Sequence, residues 1–250
     1  MDFGLDGRVA LITGAGRNIG RSTARLFARH GVDLVLCTRR NADQLAEAAE
    51  EARGEGVRVL AELCDVSSAA DVARLAAQAE ETFGRVDILV NNATQRVHGK
   101  FFDLTPDQWS QVIAVNLTGP YLLCQALMPA MVENRWGRII SYSGNSAYRG
   151  GGASTATVKL GIVGFTRSLA KEFGKHNITA NCIAPGSIAT ERTSGTERQS
   201  DRLGVVNDDV PIPRFGTQEE VASLVVYLAS EPAGYITGQC VPINGGVHFL

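Results

Sequence analysis

Apolar residues along the chain fall in short, nearly uninterrupted runs: VALIT at 9–13, VDLVLC at 32–37, VRVLAEL at 57–63, VDILVN at 86–91, RIISYS at 138–143, ITANCIA at 178–184 and QCVPI at 239–243. Between them, apolar positions recur at helical spacing over about 18–30, 41–53, 68–83, 106–133, 153–175 and 217–230. A strand buried on both faces needs such continuous runs, and a helix after each strand supplies the cover. The pattern predicts an α/β fold with a doubly wound parallel sheet of about seven strands, flanked by helices, in a single domain. Ligands of such sheets bind beyond the carboxyl ends of the strands, so chemistry is expected just after each run. One segment breaks the rhythm. Residues 185–216 are polar and too long for an ordinary connection, and they are read as a lid or substrate loop at about 186–216 rather than a surface excursion.

Composition narrows the class. The 250 residues suit one large domain. Twenty-four Lys and Arg against 26 Asp and Glu give a formal net charge of -2 without long runs of either sign, which argues against nucleic acid and membrane surfaces as partners. Five scattered cysteines, Cys37, Cys64, Cys124, Cys182 and Cys240, read as reduced core residues rather than disulfides or zinc ligands, so a cytoplasmic location and no metal are expected. Neither a signal peptide nor a membrane span is expected.

The first apolar run leads into TGAGRNIGRSTARLF. Gly14, Gly16 and Gly20 fit a tight turn, close approach of backbone to a pyrophosphate, and contact between helix and sheet, with the amino end of the next helix facing phosphate. The second run ends in CTRR, so Thr38 and Arg39 stand where an NAD-preferring site carries an acidic residue. Arg39, with Arg17 from the glycine loop, suits a ribose 2'-phosphate, and NADP(H) is expected over NAD(H). Asp65, after the third run, suits an adenine amino group or a cap on the next helix. Asn91, Asn92 and Ala93 follow the fourth run, where they can position backbone against the cofactor.

Together TGAGRNIG, DV at 65–66, NNA at 91–93, VNLTG at 115–119, Lys159, PG at 185–186 and the ITGQ and NGG near the end resemble the classical short-chain dehydrogenase/reductase family from about Gly7 to Gly246. The resemblance implies a Rossmann-like fold, a nicotinamide cofactor and a homotetramer or homodimer built on the long helices at 106–133 and 153–175. It places cofactor contacts at Gly14, Gly16, Arg17, Asn18, Ile19, Gly20, Thr38, Arg39, Asp65, Val66, Asn92, Ala93, Lys159, Pro185, Gly186 and Ile188. Three departures stand out in this half: Asn18 for the middle glycine, which asparagine imitates by tolerating positive φ, Thr94 for the glycine of NNAG, and Asn244 for a frequent acidic residue.

The catalytic half departs further. In the family a serine polarises the carbonyl, a tyrosine four residues before a lysine moves the proton, and an asparagine maintains a proton path. Asn116 and Lys159 match, but Thr155 stands at the tyrosine position. Its hydroxyl keeps the lysine's face of the helix at i, i+4, yet an aliphatic alcohol is far too weak an acid for that role. Counting forward places the serine pair on Ser143 and Gly144, whereas counting back from Lys159 reaches Tyr142, so the loop is shortened. Ser143 is the expected hydrogen-bond donor to substrate, with Ser146 as the alternative. Tyr142, Tyr148 and His98 are candidates for a relocated acid, each weighed against a packing or surface role. Arg96, Lys100 and Arg149 suggest a small anionic substrate, or are simply solvated charges. His30, His176 and His248 have no suggestive neighbours.

Three functions follow: an NADP(H)-dependent oxidoreductase on a carbonyl, alcohol, C=N or C=C group with a moved proton donor; a non-redox hydrolase, lyase or dehydratase using Lys159 and Thr155; or a nucleotide-binding inactive or sensor subunit.

Overall fold

Seven strands form one parallel sheet in the order β3-β2-β1-β4-β5-β6-β7: β1 Val9–Thr13, β2 Asp33–Thr38, β3 Val59–Leu63, β4 Ile88–Asn91, β5 Gly137–Tyr142, β6 Ile178–Pro185 and β7 Cys240–Ile243. The computed structural model describes residues 2–97, 99–190 and 210–249. Each strand coincides with one of the apolar runs, with ends shifted by a residue or two where a run extends into its turn.

The helices are α1 Asn18–Arg29, α2 Ala42–Arg53, α3 Ala69–Phe83, α4 Pro106–Ile113, α5 Gly119–Glu133, α6 Ser146–Arg149, α7 Ala153–Phe173 and α8 Gln218–Ala229. Their starts are written locally. Thr105 and Gln108 form a capping box on α4 with Pro106 in its first turn, Thr217 and Glu220 do the same for α8, and Ser68 caps α3. The single helix read over 106–133 is interrupted by a π-turn at Ala114–Thr118, which carries Asn116. By composition Pro106–Glu133 is long and apolar enough to cross a membrane, but Leu123, Cys124, Leu127, Met128 and Met131 pack it against the sheet.

Alternation along the strands divides the core. Ala10, Ile12, Leu34, Leu36, Ile88, Val90, Ile140 and Tyr142 face α1, α2 and α8, while Val9, Leu11, Val35, Leu89 and Ile139 face α3, α5 and α7. The strand order reverses between β1 and β4, and the crevice beyond their carboxyl ends is the expected ligand position.

The two ends of the 186–216 segment meet. Ile188 bridges Gly216, with Ala189 N donating to Gly216 O at 2.9 Å and Gly216 N to Ser187 O at 3.0 Å. The body of the expected lid, residues 191–209, lies outside the described residues.

Candidate active site

At the switch point Asn92 staples β1 to β4. Its side-chain amide donates to Thr13 O at 2.8 Å and Gly14 O at 3.0 Å, and Thr13 Oγ1 accepts from the backbone N–H of Asn92 and Ala93 at 3.0 and 2.9 Å. The glycine loop is thereby held by a side chain as well as by its own turn. Gly14 sits at φ +66, and a Cβ on Gly20 would lie 2.3 Å from Gly14 O, so neither position accepts a side chain without moving backbone. Asn18 takes φ +51, as its substitution for glycine requires.

The loop delivers an open helix end. Arg17 is the N-cap of α1 in extended conformation without a capping hydrogen bond from its side chain, and the first turn has no acidic residue. An amino-terminal turn without a capping side chain, under a positive dipole end, suits a pyrophosphate. Ile19 follows in the first turn, and Thr38 ends β2 with exposed Arg39 next. These residues line the place where a dinucleotide is expected.

Asp65 is used differently from the expected helix cap. It accepts from Ser67 N at 3.0 Å and Ser67 Oγ at 2.6 Å, and pairs with Arg39 at 3.7 Å. Burial opposes its charge, but the Ser67 hydrogen bonds and the Arg39 guanidinium hold the carboxyl below its usual range. The cap of α3 is Ser68, so the capping role assigned to Asp65 is corrected: it closes the turn before the cap. Val66 beside it is buried. On the far side of the crevice Pro185 ends β6, Gly186 N donates to Ile243 O at 2.9 Å, and Ile188 is buried. Asn244 Oδ1 accepts from Gly246 N at 2.9 Å, so the amide serves its own turn.

On the catalytic side Lys159 projects from α7 and is buried to 5 % exposure. Its Nζ donates to Tyr142 O at 2.7 Å, and Ser143 Oγ donates to Lys159 O at 2.6 Å. These two bonds lock the end of β5 to α7. Burial, with the charge of Arg96 adding to it and Cys182 opposing, brings the lysine down to about 7. Ser143 therefore spends its proton on a backbone carbonyl and presents its lone pairs, rather than the free donor expected of it. Gly144, at the other count, offers no side chain.

Thr155 lies one turn before Lys159, partly exposed, with no side-chain hydrogen bond to a described residue. Asn116 is fully engaged: its Nδ2 donates to Val112 O at 2.8 Å and Gln95 O at 2.9 Å, and its Oδ1 accepts from Thr94 Oγ1 at 2.8 Å. The threonine that replaces a family glycine thus ties the loop after β4 to the π-turn.

The tyrosines separate cleanly. Tyr142 points away from Lys159, into the core beneath α1, where burial pushes its phenol up; Thr23 is its near polar neighbour but no ordinary hydrogen bond forms. Its expectation as a relocated acid is corrected, because strand alternation puts it on the wrong face of the sheet. Tyr148, on α6, stacks on His248 with ring centroids 5.3 Å apart. Its hydroxyl neighbours Ser143 and Cys240, and burial first, then Cys240 and Cys182, raise its pKa. Sequence reading missed both His248 and Cys240 as neighbours, since only folding brings β7 and the chain end to α6. His98 lies outside the described residues.

Two cavities flank this centre. One of about 530 Å³ lies between the loop after β4 and the start of α7, lined by Val97, Lys100, Phe101, Gly152 and Ser154 among others. The second, about 480 Å³, is bounded by Asn145, Arg149, Ser187, Ile188 and Asn244.

A family model described as enoyl-(acyl carrier protein) reductase matches residues 14–248. The 3-oxoacyl-(acyl-carrier-protein) reductase of Aquifex aeolicus is 34 % identical over 249 residues, covering 99 % of this chain and all of its own. A (2S)-[(R)-hydroxy(phenyl)methyl]succinyl-CoA dehydrogenase subunit of Thauera aromatica is 36 % identical, covering 98 % of each chain. The structure of L-sorbose reductase from Gluconobacter frateurii, complexed with NADPH and L-sorbose, superposes with a TM-score of 0.93 at 31 % identity, covering 100 % of both chains. Sheet order, glycine loop and these matches define a Rossmann-like oxidoreductase. The chain belongs to the classical short-chain dehydrogenase/reductase family.

Proposed function

We propose that this protein is an NADP(H)-dependent oxidoreductase that interconverts a carbonyl and an alcohol, or reduces a C=N or C=C bond, on a small anionic molecule, with Tyr148 as the relocated proton donor. The observation that carries the reading is the open amino end of α1, flanked by Arg17 and Arg39, without an acidic residue at the end of β2. Arg17 and Arg39 would bind the ribose 2'-phosphate, the loop from Gly14 to Gly20 the pyrophosphate, and Lys159 the nicotinamide ribose. The bound nicotinamide supplies or accepts the hydride. The 3-oxoacyl-(acyl-carrier-protein) reductase relatives and the NADPH complex of L-sorbose reductase support this choice.

Tyr148 is favoured because its hydroxyl neighbours Ser143, whose own proton goes to the backbone at Lys159. Its raised pKa keeps the phenol protonated until a developing alkoxide takes the proton. Ser143 lies beside that phenol with its own proton on the Lys159 carbonyl, and the Thr94–Asn116 bond fixes the opposite wall of the crevice. Lys100 and Arg149 border the two cavities without a carboxylate partner among the described residues, which suits an anionic substituent. Exposed Phe101, Phe102, Tyr121 and Leu160 support a homotetramer or homodimer, to be read by light scattering.

Titration with NADPH and NADH, followed by absorbance over a panel of carbonyl acids and alcohols, tests the reading. NADPH binding and turnover that Tyr148→Phe abolishes is the expected result. Turnover that survives Tyr148→Phe removes the tyrosine from the mechanism. A protein that binds NADPH yet reduces nothing until Thr155→Tyr is introduced is not a reductase in its native form.

A further inference from the structure

Two cysteines far apart in sequence meet at the edge of the sheet. Cys182 on β6 and Cys240 on β7 are direct partners in the parallel register, so their side chains leave the sheet on the same face, toward α7. Adjacent strands run about 4.8 Å apart, within the Cα separation of roughly 4.4 to 6.8 Å that a disulfide spans. Both sulfurs are free thiols, Cys182 buried and Cys240 partly exposed. Cys182 Sγ lies 2.9 Å from Thr166 Oγ1 and 3.7 Å from Ile162 O, which fixes its direction. Cys240 in turn borders the hydroxyls of Tyr148 and Ser143.

We propose that Cys182 and Cys240 form a peroxide-sensitive dithiol that closes reversibly to a disulfide beside Tyr148. The division of labour follows from exposure and surroundings. Cys240 is reachable from solvent, and its neighbours Cys182, Tyr148 and Ser143, with the charge of Arg167, lower its pKa against burial. The nearness of Cys240 and its own burial hold Cys182 up. Cys240 is therefore the attacking thiolate and Cys182 the resolving thiol.

The chemistry balances with one peroxide. The Cys240 thiolate attacks a peroxide oxygen, an S–O bond forms as the O–O bond breaks, and the departing hydroxide leaves as water with the proton Cys240 had released. Cys182 then attacks the sulfenic sulfur; the S–S bond forms, the S–O bond breaks, and the second hydroxide takes the Cys182 proton as water. Both sulfurs are oxidised and the peroxide is reduced to two waters.

A second pair in the same molecule provides the contrast. Cys37 on β2 is in register with Glu62, not with Cys64, and both thiols are buried at 0 % and 2 % exposure. Proximity without register or access gives no entry for an oxidant. The proposal stands independently of the proposed reductase activity, because its readout is covalent.

The reduced full chain is treated with hydrogen peroxide, unfolded under an alkylating agent, digested and mapped by mass. The expected result is a peptide cross-linked between Cys182 and Cys240 that dithiothreitol removes, with Cys37, Cys64 and Cys124 recovered alkylated. In Cys182→Val, Cys240 should stop at the sulfenic acid and take up dimedone, which the unsubstituted chain does not accumulate. Recovery of Cys182 and Cys240 as free thiols under peroxide that fully oxidises glutathione overturns the proposal, as does a cross-link confined to Cys37 and Cys64. The mapping of the unsubstituted chain decides the matter even where Cys182→Val does not fold.

Discussion

At the amino ends of the central strands, buried charge is matched by partners. Asp87, 3 % exposed, accepts from Val9 N at 2.9 Å and Arg85 Nε at 3.0 Å, with Arg8 3.5 Å away. Arg8 and Arg138 lie 3.7 and 4.3 Å from the Trp136 ring centre, and Glu231 accepts from the indole N–H at 2.7 Å and approaches Arg138 at 3.6 Å. Even here Arg138 Nε has no hydrogen-bond partner among the described residues. At the carboxyl ends the pattern reverses. Lys159 is as deeply placed as Asp87 but has a carbonyl for a partner and no carboxylate among the described residues, Arg17 leads a helix without a side-chain cap, and Thr155 makes no side-chain bond to a described residue. One end spends its polar groups on the fold. The other holds cations and donors ready for something that is not part of the chain, which is how a binding site differs from a foundation.

Substitutions at the two ends should therefore fail in different ways. Lys159→Met is expected to lower kcat/KM about a thousandfold, measured on any carbonyl substrate the panel yields. The same variant carries a pH signature. Burial brings Lys159 from 10.5 to about 7, so its ammonium costs stability in full below pH 7, and the cost fades as pH rises toward 10.5. Denaturant midpoints of the unsubstituted chain should rise relative to Lys159→Met between pH 7 and 10; a constant difference would contradict the buried-cation reading.

Asp87→Asn should cost about 3 kcal/mol of stability, since it strips the charge from a buried acceptor of two donors, while kcat of the folded fraction stays near that of the parent. Chemical denaturation and initial rates separate the two. Asn92→Ala sits between these extremes: loosening the staple between β1 and β4 should weaken NADPH about tenfold for a cost of about 1.4 kcal/mol, read by fluorescence titration. Arg39→Ala should weaken NADPH by a similar or smaller factor and leave NADH unchanged, because only the 2'-phosphate needs the guanidinium. The smallest effect belongs to the surface. Arg21→Ala, which removes contacts to Glu51 at 2.8 and 3.0 Å and to Glu47 at 3.0 Å, should change stability by about 1 kcal/mol or less and vanish in high salt.

Much of this contrast was legible in sequence on one side only. Seven apolar runs gave seven strands, because a doubly covered strand must be apolar at every position and that demand is local. Gly14, Gly20 and Asn18 announced a glycine loop, since only residues tolerant of positive φ or of a missing Cβ fit there. The π-turn under Asn116 leaves no mark in the sequence, as a single inserted residue hardly alters helical periodicity. The cap expected of Asp65 falls to Ser68, and the hydroxyl of Ser143 goes to the Lys159 carbonyl. Tyr142 and Tyr148 looked equivalent as nearby phenols, and one strand position sent Tyr142 to the opposite face of the sheet.

The sequence by itself determined the class of fold, the place of the nucleotide loop and that Thr155 stands four residues before Lys159, because each depends on residues within a few positions of one another. Only the tertiary structure decided which phenol stands near Ser143, which end of the sheet neutralises its charges, and that Cys182 meets Cys240. Those facts rest on strand order and side-chain direction, which bring together groups separated by tens of residues and which no local pattern encodes.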